Sequence, residues 1–253
     1  MFEVIRIPAF KDNYILLLRK GVSAVVVDPG DALPVLDVIA REGVSLSAIL
    51  VTHHHQDHQG GIARLLEHRQ TDVFGPAAES ITAVTHPLCG GEIIAPGGIG
   101  FELQVLATPG HTRGHLVYVG NGCLFCGDTL FAGGCGRVFE GSATQMWRSL
   151  NDLCALPDET RVYCAHEYTE SNLRFALAVE PGNRRLRDRV DEVAVARAKG
   201  LPTVPSTMAV EKATNPFLRC AVPEVVATAR EHGAASADPA DVFAALRDWK
   251  NTF

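Results

Sequence analysis

A chain of 253 residues, 47 % hydrophobic and 21 % charged, has the composition of a globular protein with one large domain or a core domain and a smaller appendage, which excludes a disordered chain. Its net charge of −6 argues against a nucleic-acid partner, which needs a basic face to neutralise phosphates, although two bound divalent ions would offset about four of those charges. No apolar run approaches the roughly 18–20 residues that span a bilayer, and the start Met1-Phe2-Glu3-Val4-Ile5-Arg6 lacks a basic segment followed by an apolar one, so we expect a cytoplasmic chain with no signal peptide and no membrane contact.

The first two-thirds read as strands punctuated by Gly and Pro. Short apolar runs at 15–18 and 24–27 flank Gly21 and end at Asp28-Pro29-Gly30, which predicts an antiparallel hairpin with one or both strands buried. Helical spacing over 34–41 and a buried strand at 48–51 follow, and the strand runs into Thr52-His53-His54-His55-Gln56-Asp57-His58. Gly60 and Gly61 come next, and 62–68 resumes a helical pattern. The histidine cluster therefore lies on a strand-to-helix loop. Further strands are predicted around 101–107, 115–119, 123–126 and 161–164, with a helix at 146–153; such an order suggests two stacked sheets covered by helices. Beyond Tyr168 the texture changes: 173–179, 184–199 and 241–250 read as amphipathic helices separated by stretches such as Gly200-Leu201-Pro202, with no strand signal. We expect a catalytic domain over 1–168 and a helical domain over 169–253.

The seven cysteines are odd in number and show no paired framework, so most are expected to be reduced, buried thiols. Cys123-Leu124-Phe125-Cys126 is formally a C-x-x-C, but it lies in an apolar run without a second pair, and buried strand cysteines are the reading we favour over a redox or zinc role.

His53, His55, Asp57 and His58 bring imidazoles and a carboxylate together at the end of a buried strand, a donor set suited to zinc, iron or manganese. In an extended segment residues two apart point the same way, so His53 and His55 can reach one ion while His54 points away. Once the chain turns into a helix, Asp57 and His58 aim elsewhere and suit a second ion. Downstream, Thr108-Pro109-Gly110-His111-Thr112 places His111 on a tight turn, Gly127-Asp128-Thr129 ends a strand with a carboxylate able to bridge two ions, and Cys164-Ala165-His166 ends another with His166.

This pattern, T-H-x-H-x-D-H followed by a His, an Asp and a His, resembles the metallo-β-lactamase superfamily. The resemblance implies an α+β fold, an αββα sandwich with the metals at one edge of the sheets. It implies that His53, His55 and His111 hold one ion, that Asp57, His58 and His166 hold the other, and that Asp128 bridges them. Asp57 and Asp128 are then the catalytic carboxylates of a hydrolase whose nucleophile is a metal-bound hydroxide. His115 is expected to be structural or to support a ligand, and His54, His68, His86 and His232 are given no metal role.

That superfamily acts on lactams, phosphodiesters, lactones and thioesters, so the core motif alone does not select a substrate. Gly133-Gly134-Cys135-Gly136-Arg137, Cys164-Ala165-His166-Glu167-Tyr168-Thr169, Asn215-Pro216-Phe217-Leu218-Arg219 and the helical tail with Arg247 and Lys250 resemble the hydroxyacylglutathione hydrolase (glyoxalase II) family over nearly the whole chain. The resemblance implies that Arg137, Tyr168, Arg247 and Lys250 bind glutathione, whose two carboxylates suit fixed cationic donors. Arg247 and Lys250, three apart, share a helix face. It further implies a monomer with two divalent ions, zinc first and iron or manganese as alternatives, that cleaves an S-(2-hydroxyacyl)glutathione such as S-D-lactoylglutathione in the second step of methylglyoxal detoxification. One departure is Phe139, where some members carry a tyrosine. A competing reading is a glutathione persulfide dioxygenase with a single iron; the tail residues and the complete second-metal set disfavour it.

Overall fold

Two stretches of unbroken apolar sequence form the second and third strands of the first sheet. The computed structural model describes residues Phe2 to Phe253; Met1, part of the start at which no signal peptide is expected, lies outside the described residues. The chain divides into two compact units, 1–107 with 113–127 and 108–112 with 128–253.

In the first unit, β1 (Phe2–Ala9), β2 (Asn13–Lys20) and β3 (Ser23–Val27) form an antiparallel run. Leu16, Leu17, Leu18 and Val25 to Val27 are all buried, which is why these strands read as continuous hydrophobic segments rather than alternating ones. Helix α1 (Ala32–Glu42) begins at Asp31, whose carboxylate accepts the Leu33 N–H, and ends at Gly43 with φ +61, a left-handed cap open to glycine at no steric cost. β4 (Ser45–Leu50) lies parallel to β3, and after the short helices α2 (Gln56–Gln59) and α3 (Ile62–His68) the parallel run continues through β5 (Asp72–Pro76) and β6 (His86–Leu88). Val35 and Ile39 of α1 and Ile62 and Leu65 of α3 bury against Leu17, Val26, Ile49 and Val73 of this sheet. Burying each such side chain contributes about 1.5–3 kcal/mol. β7 (Ile93–Ile94), β8 (Leu103–Ala107), β9 (Leu116–Gly120) and β10 (Cys123–Gly127) make a second, antiparallel run. Cys123 and Cys126 are buried cysteines of β10 that form no disulfide.

The second unit starts with the two-residue strands β11 (Leu130–Phe131) and β12 (Gly134–Cys135), paired antiparallel. Helix α4 (Ala143–Leu153) opens on a capping box between Ser142 and Gln145, reciprocal bonds that satisfy the first free N–H groups. β13 (Arg161–Cys164) is followed by α5 (Thr169–Val179) and α6 (Arg184–Ala198). A two-residue strand, β14 (Ser206–Thr207), pairs antiparallel with β13, in a region where the sequence showed no strand signal. Such a strand exists only through its distant partner and leaves no periodicity. The chain ends with α7 (Met208–Thr214), a 3₁₀ turn at Pro216–Leu218, α8 (Pro223–Glu231) and α9 (Pro239–Thr252). α9 packs on α4 and α8, and α5 on α6, around Phe175, Phe217 and Phe243, whose rings lie 5.8 Å and 5.5 Å apart in sequence. Among the described residues no helix is long and apolar enough to cross a membrane.

Candidate metal centre and adjoining cavity

The histidine loop is built from the end of β4 and anchored by a residue that motif reading passed over. Asp28, buried at the end of β3, accepts the Thr52 N–H through Oδ1 (2.8 Å) and the Thr52 hydroxyl through Oδ2 (2.8 Å). Its Oδ2 also lies 3.0 Å from His58 Nδ1, which fixes that ring and leaves Nε2 as the ligand atom. Thr52 Oγ1 lies 3.0 Å from His53 Nδ1, and His53 Nε2 lies 3.0 Å from His55 Nδ1. Two nitrogens on one tetrahedral zinc sit about 3.3 Å apart, given Zn–N distances of about 2.0–2.1 Å, so this pair suits a shared ion. On the following turn Asp57 Oδ2 accepts the Asn13 amide at 2.9 Å and stands 3.5 Å from His58 Nε2. Gly30 makes the close fold possible, since a Cβ there would lie 1.9 Å from the Asp57 carbonyl oxygen. His54 turns away to Glu79 (2.9 Å), which also accepts the Gly114 N–H at 3.0 Å. His115 is buried and stacks on His53 at 4.8 Å. His86 and His232 lie against Phe74 and Trp249 at 4.6 Å and 3.5 Å.

The second unit carries His111, Asp128 and His166. Asp128 Oδ2 is 3.5 Å from His111 Nε2, and its Oδ1 is 3.4 Å from His166 Nε2. One carboxylate thus presents each oxygen to a different imidazole, the arrangement a bridging ligand requires. His111 Nδ1 lies 2.8 Å from the Arg137 carbonyl, which makes Nε2 its ligand atom. At Gly136 a Cβ would fall 1.9 Å from the Asp128 carbonyl oxygen, so the chain after β12 can close on Asp128 only with glycine there. Imidazoles whose outer nitrogens are already engaged, together with ionisable carboxylates, form a donor set that fits divalent ions.

Beside His111 and Asp128 the second unit opens a cavity of about 420 Å³, lined also by Arg137, Phe139, Tyr168 and Lys250. Tyr168 stacks on His166 with centroids 4.7 Å apart and planes 7° from parallel. Arg247, 4 % exposed, also lines the cavity; its Nη1 donates to the Cys135 carbonyl at 3.0 Å and to the Gly136 carbonyl at 3.4 Å, and its guanidinium covers Phe217 at 5.2 Å. Lys250, one turn on, places Nζ 5.0 Å from the centre of Phe175. Burial, and then the neighbouring Arg247 charge, push its ammonium down to about 8. Phe139 is 60 % exposed and sets its ring against His111 at 5.3 Å. Ser171 and Asn172 of α5 line the cavity as well; they went unnoticed in the sequence because nothing marks the polar residues of an amphipathic helix as binding groups.

Residues 10–166 match the metallo-beta-lactamase superfamily, and 167–253 match the hydroxyacylglutathione hydrolase C-terminus. A hydroxyacylglutathione hydrolase of Dechloromonas aromatica is 54 % identical over 267 residues, covering 100 % of both chains. Among solved structures, ETHE1 from Myxococcus xanthus superposes with a TM-score of 0.65 at 25 % identity, covering 100 % of this chain and 99 % of its own. TTHA1623 in a di-iron-bound form gives 0.60 at 25 % identity, covering 85 % of this chain and 100 % of its own.

Proposed function

The chain belongs to the hydroxyacylglutathione hydrolase family of the metallo-β-lactamase superfamily, and on that premise we propose that it hydrolyses S-(2-hydroxyacyl)glutathione, such as S-D-lactoylglutathione, to the 2-hydroxy acid and glutathione. The observation that carries the reading is the single cavity in which Arg137, Tyr168, Arg247 and Lys250 surround the approach to His111 and Asp128. A fixed group of cations beside a carboxylate–imidazole cluster suits an anionic tripeptide whose reacting end must reach that cluster.

We assign one ion to His53, His55 and His111, a second to Asp57, His58 and His166, and Asp128 to both. When bound, two divalent ions would make hydroxide available at neutral pH and stabilise the developing oxyanion. Zinc is the first expectation for both positions; the di-iron form of TTHA1623 supports iron as an alternative, and manganese accepts the same ligands. Asn13 holds the Asp57 carboxylate, and Asp28 holds Thr52 and His58, so the first-unit ligands are oriented before any ion arrives. Arg137 and Lys250 meet the glutathione carboxylates, and Tyr168 donates a hydrogen bond to its backbone. The leaving thiolate departs readily, so the site needs no strong general acid. In this reading the protein acts as a monomer, residues 1–168 as the catalytic domain and 169–253 as the helical domain that completes the glutathione site. We place this activity in methylglyoxal detoxification, in the cytoplasm.

The test is hydrolysis of S-D-lactoylglutathione by metal-analysed protein, followed as loss of the thioester. Thioester loss without oxygen uptake supports the proposal. Oxygen uptake with glutathione persulfide, no thioester cleavage and one iron per chain would instead establish a persulfide dioxygenase.

Two further outcomes are expected. Because the Lys250 ammonium is pushed down to about 8, its contribution to glutathione binding is complete well below that pH, half lost near it and lost well above it. Glutathione Kd should stay flat up to about pH 7, roughly double by about pH 8 and rise by as much as tenfold by about pH 9, a dependence that calorimetry should find missing in Lys250→Ala. At Phe139, tyrosine would return a hydroxyl to the cavity rim. Phe139→Tyr should lower KM about three- to fivefold, as one added hydrogen bond of about 1 kcal/mol does, with kcat unchanged.

A further inference from the structure

A buried acid in α7 reaches the cavity without lining it. Glu211 is 0 % exposed, a placement that carboxylates adopt only when paired. Its Oε1 accepts from Arg189 Nη2 at 2.5 Å and from the Ser206 hydroxyl at 2.5 Å. Its Oε2 accepts the Gly133 N–H at 2.8 Å and the Asn215 amide at 3.0 Å. Asn215 Nδ2 also donates to the carbonyls of Gly134 (2.9 Å) and Phe131 (3.3 Å), while its Oδ1 caps the 3₁₀ turn by accepting from Phe217 N at 3.1 Å. Three polar groups of the turn joining β11 to β12 are therefore matched, directly or through Asn215, by one residue of α7.

That turn leads directly into the binding residues. The carbonyls that follow it, of Cys135 and Gly136, are those to which Arg247 donates, and the next residue is Arg137, whose carbonyl faces His111. Asn172 of α5 adds a donor to the Ala132 carbonyl at 3.0 Å, but β11 and β12 are two residues each and Gly133 adopts φ +70, a conformation with no side-chain preference to hold it.

We propose that Glu211, acting with Asn215, is a positioning residue for glutathione binding, fixing the 131–136 turn so that Arg137 and Arg247 are presented to the substrate together. The proposal rests on the glutathione reading above. Removing Glu211 alone would strand the Arg189 cation in the interior, which is strongly destabilising, so the informative variant replaces both partners, Arg189→Leu with Glu211→Leu. Such a buried pair is often exchanged for apolar residues without loss of stability. A second, Arg189→Leu with Glu211→Gln, restores an uncharged acceptor for Gly133 N. Asn215→Ser keeps a short cap for Phe217 N and loses the donors to Phe131 and Gly134.

Glutathione binding to the metal-loaded full chain is measured by calorimetry, with circular dichroism and metal content as checks. Arg189→Leu/Glu211→Leu should weaken glutathione about tenfold, and in turnover KM should rise more than kcat falls. The glutamine pair should recover most of the affinity, and Asn215→Ser, which retains the Arg189–Glu211 pair, should weaken binding on its own. Folded, metal-loaded variants that bind as tightly as wild type would overturn the positioning role while leaving the substrate reading intact. A wild-type chain that does not bind glutathione would overturn the substrate reading and this role with it.

Discussion

Asp128→Ala is expected to lower kcat/KM at least about a thousandfold and to reduce metal content from two ions to one or fewer. The carboxylate places its two oxygens 3.5 Å and 3.4 Å from Nε2 of His111 and His166, so its removal takes a ligand from both assigned ions at once. Losing several kcal/mol of charge stabilisation at a developing oxyanion corresponds to three or more powers of ten. Asp128→Asn sharpens the test. It keeps the shape of the side chain but exchanges one ligand oxygen for an amide nitrogen that cannot accept a metal, so it should retain one ion and lose most activity. Full turnover in Asp128→Ala, with two metals still present by elemental analysis, would defeat the dinuclear assignment.

Arg247→Ala with Lys250→Ala should raise KM for a glutathione thioester about a hundredfold while metal content stays at the wild-type value. Hydrogen bonds to charged groups contribute about 1.5–3 kcal/mol each, and two of them lost together give this order of effect. The two residues do not act alike. Lys250 is only partly buried and works through its charge, so Lys250→Ala alone should cost about tenfold. Arg247 is buried and its Nη1 is engaged with the carbonyls of Cys135 and Gly136, so its loss also slackens the turn that carries Arg137. The pair should therefore be non-additive. An unchanged KM in the double variant would remove both residues from the binding site.

These residues were legible to different degrees, for physical reasons. The histidine loop stood out because a buried strand, a dense run of rare ligand side chains and a Gly-Gly pair are all local signals; α3 and β13 emerged at the boundaries the apolar spacing predicts. β1 was not read, because it is an edge strand of which six of the eight residues are half-exposed or exposed, and so carries no clean alternation. Asp28 looked like a turn residue, since only the fold brings it beside Thr52 and His58, 24 and 30 positions on. Glu211 was still less accessible. An acid in a short helix normally faces water, and the groups that justify its burial, Arg189 and Gly133, lie 22 and 78 residues away.

Cys135 lines the same cavity as Tyr168 and Lys250, so a thiol borders the compartment proposed to take the glutathione thioester. A thiolate there would compete with water by transthioesterification, leaving the protein acylated instead of releasing product. Burial raises the Cys135 thiol above its ordinary range despite the opposing pull of Arg247, and a protonated thiol is a poor nucleophile. The burial of β12 therefore keeps this sulfur protonated, so a thioester entering the cavity would meet a poor nucleophile there.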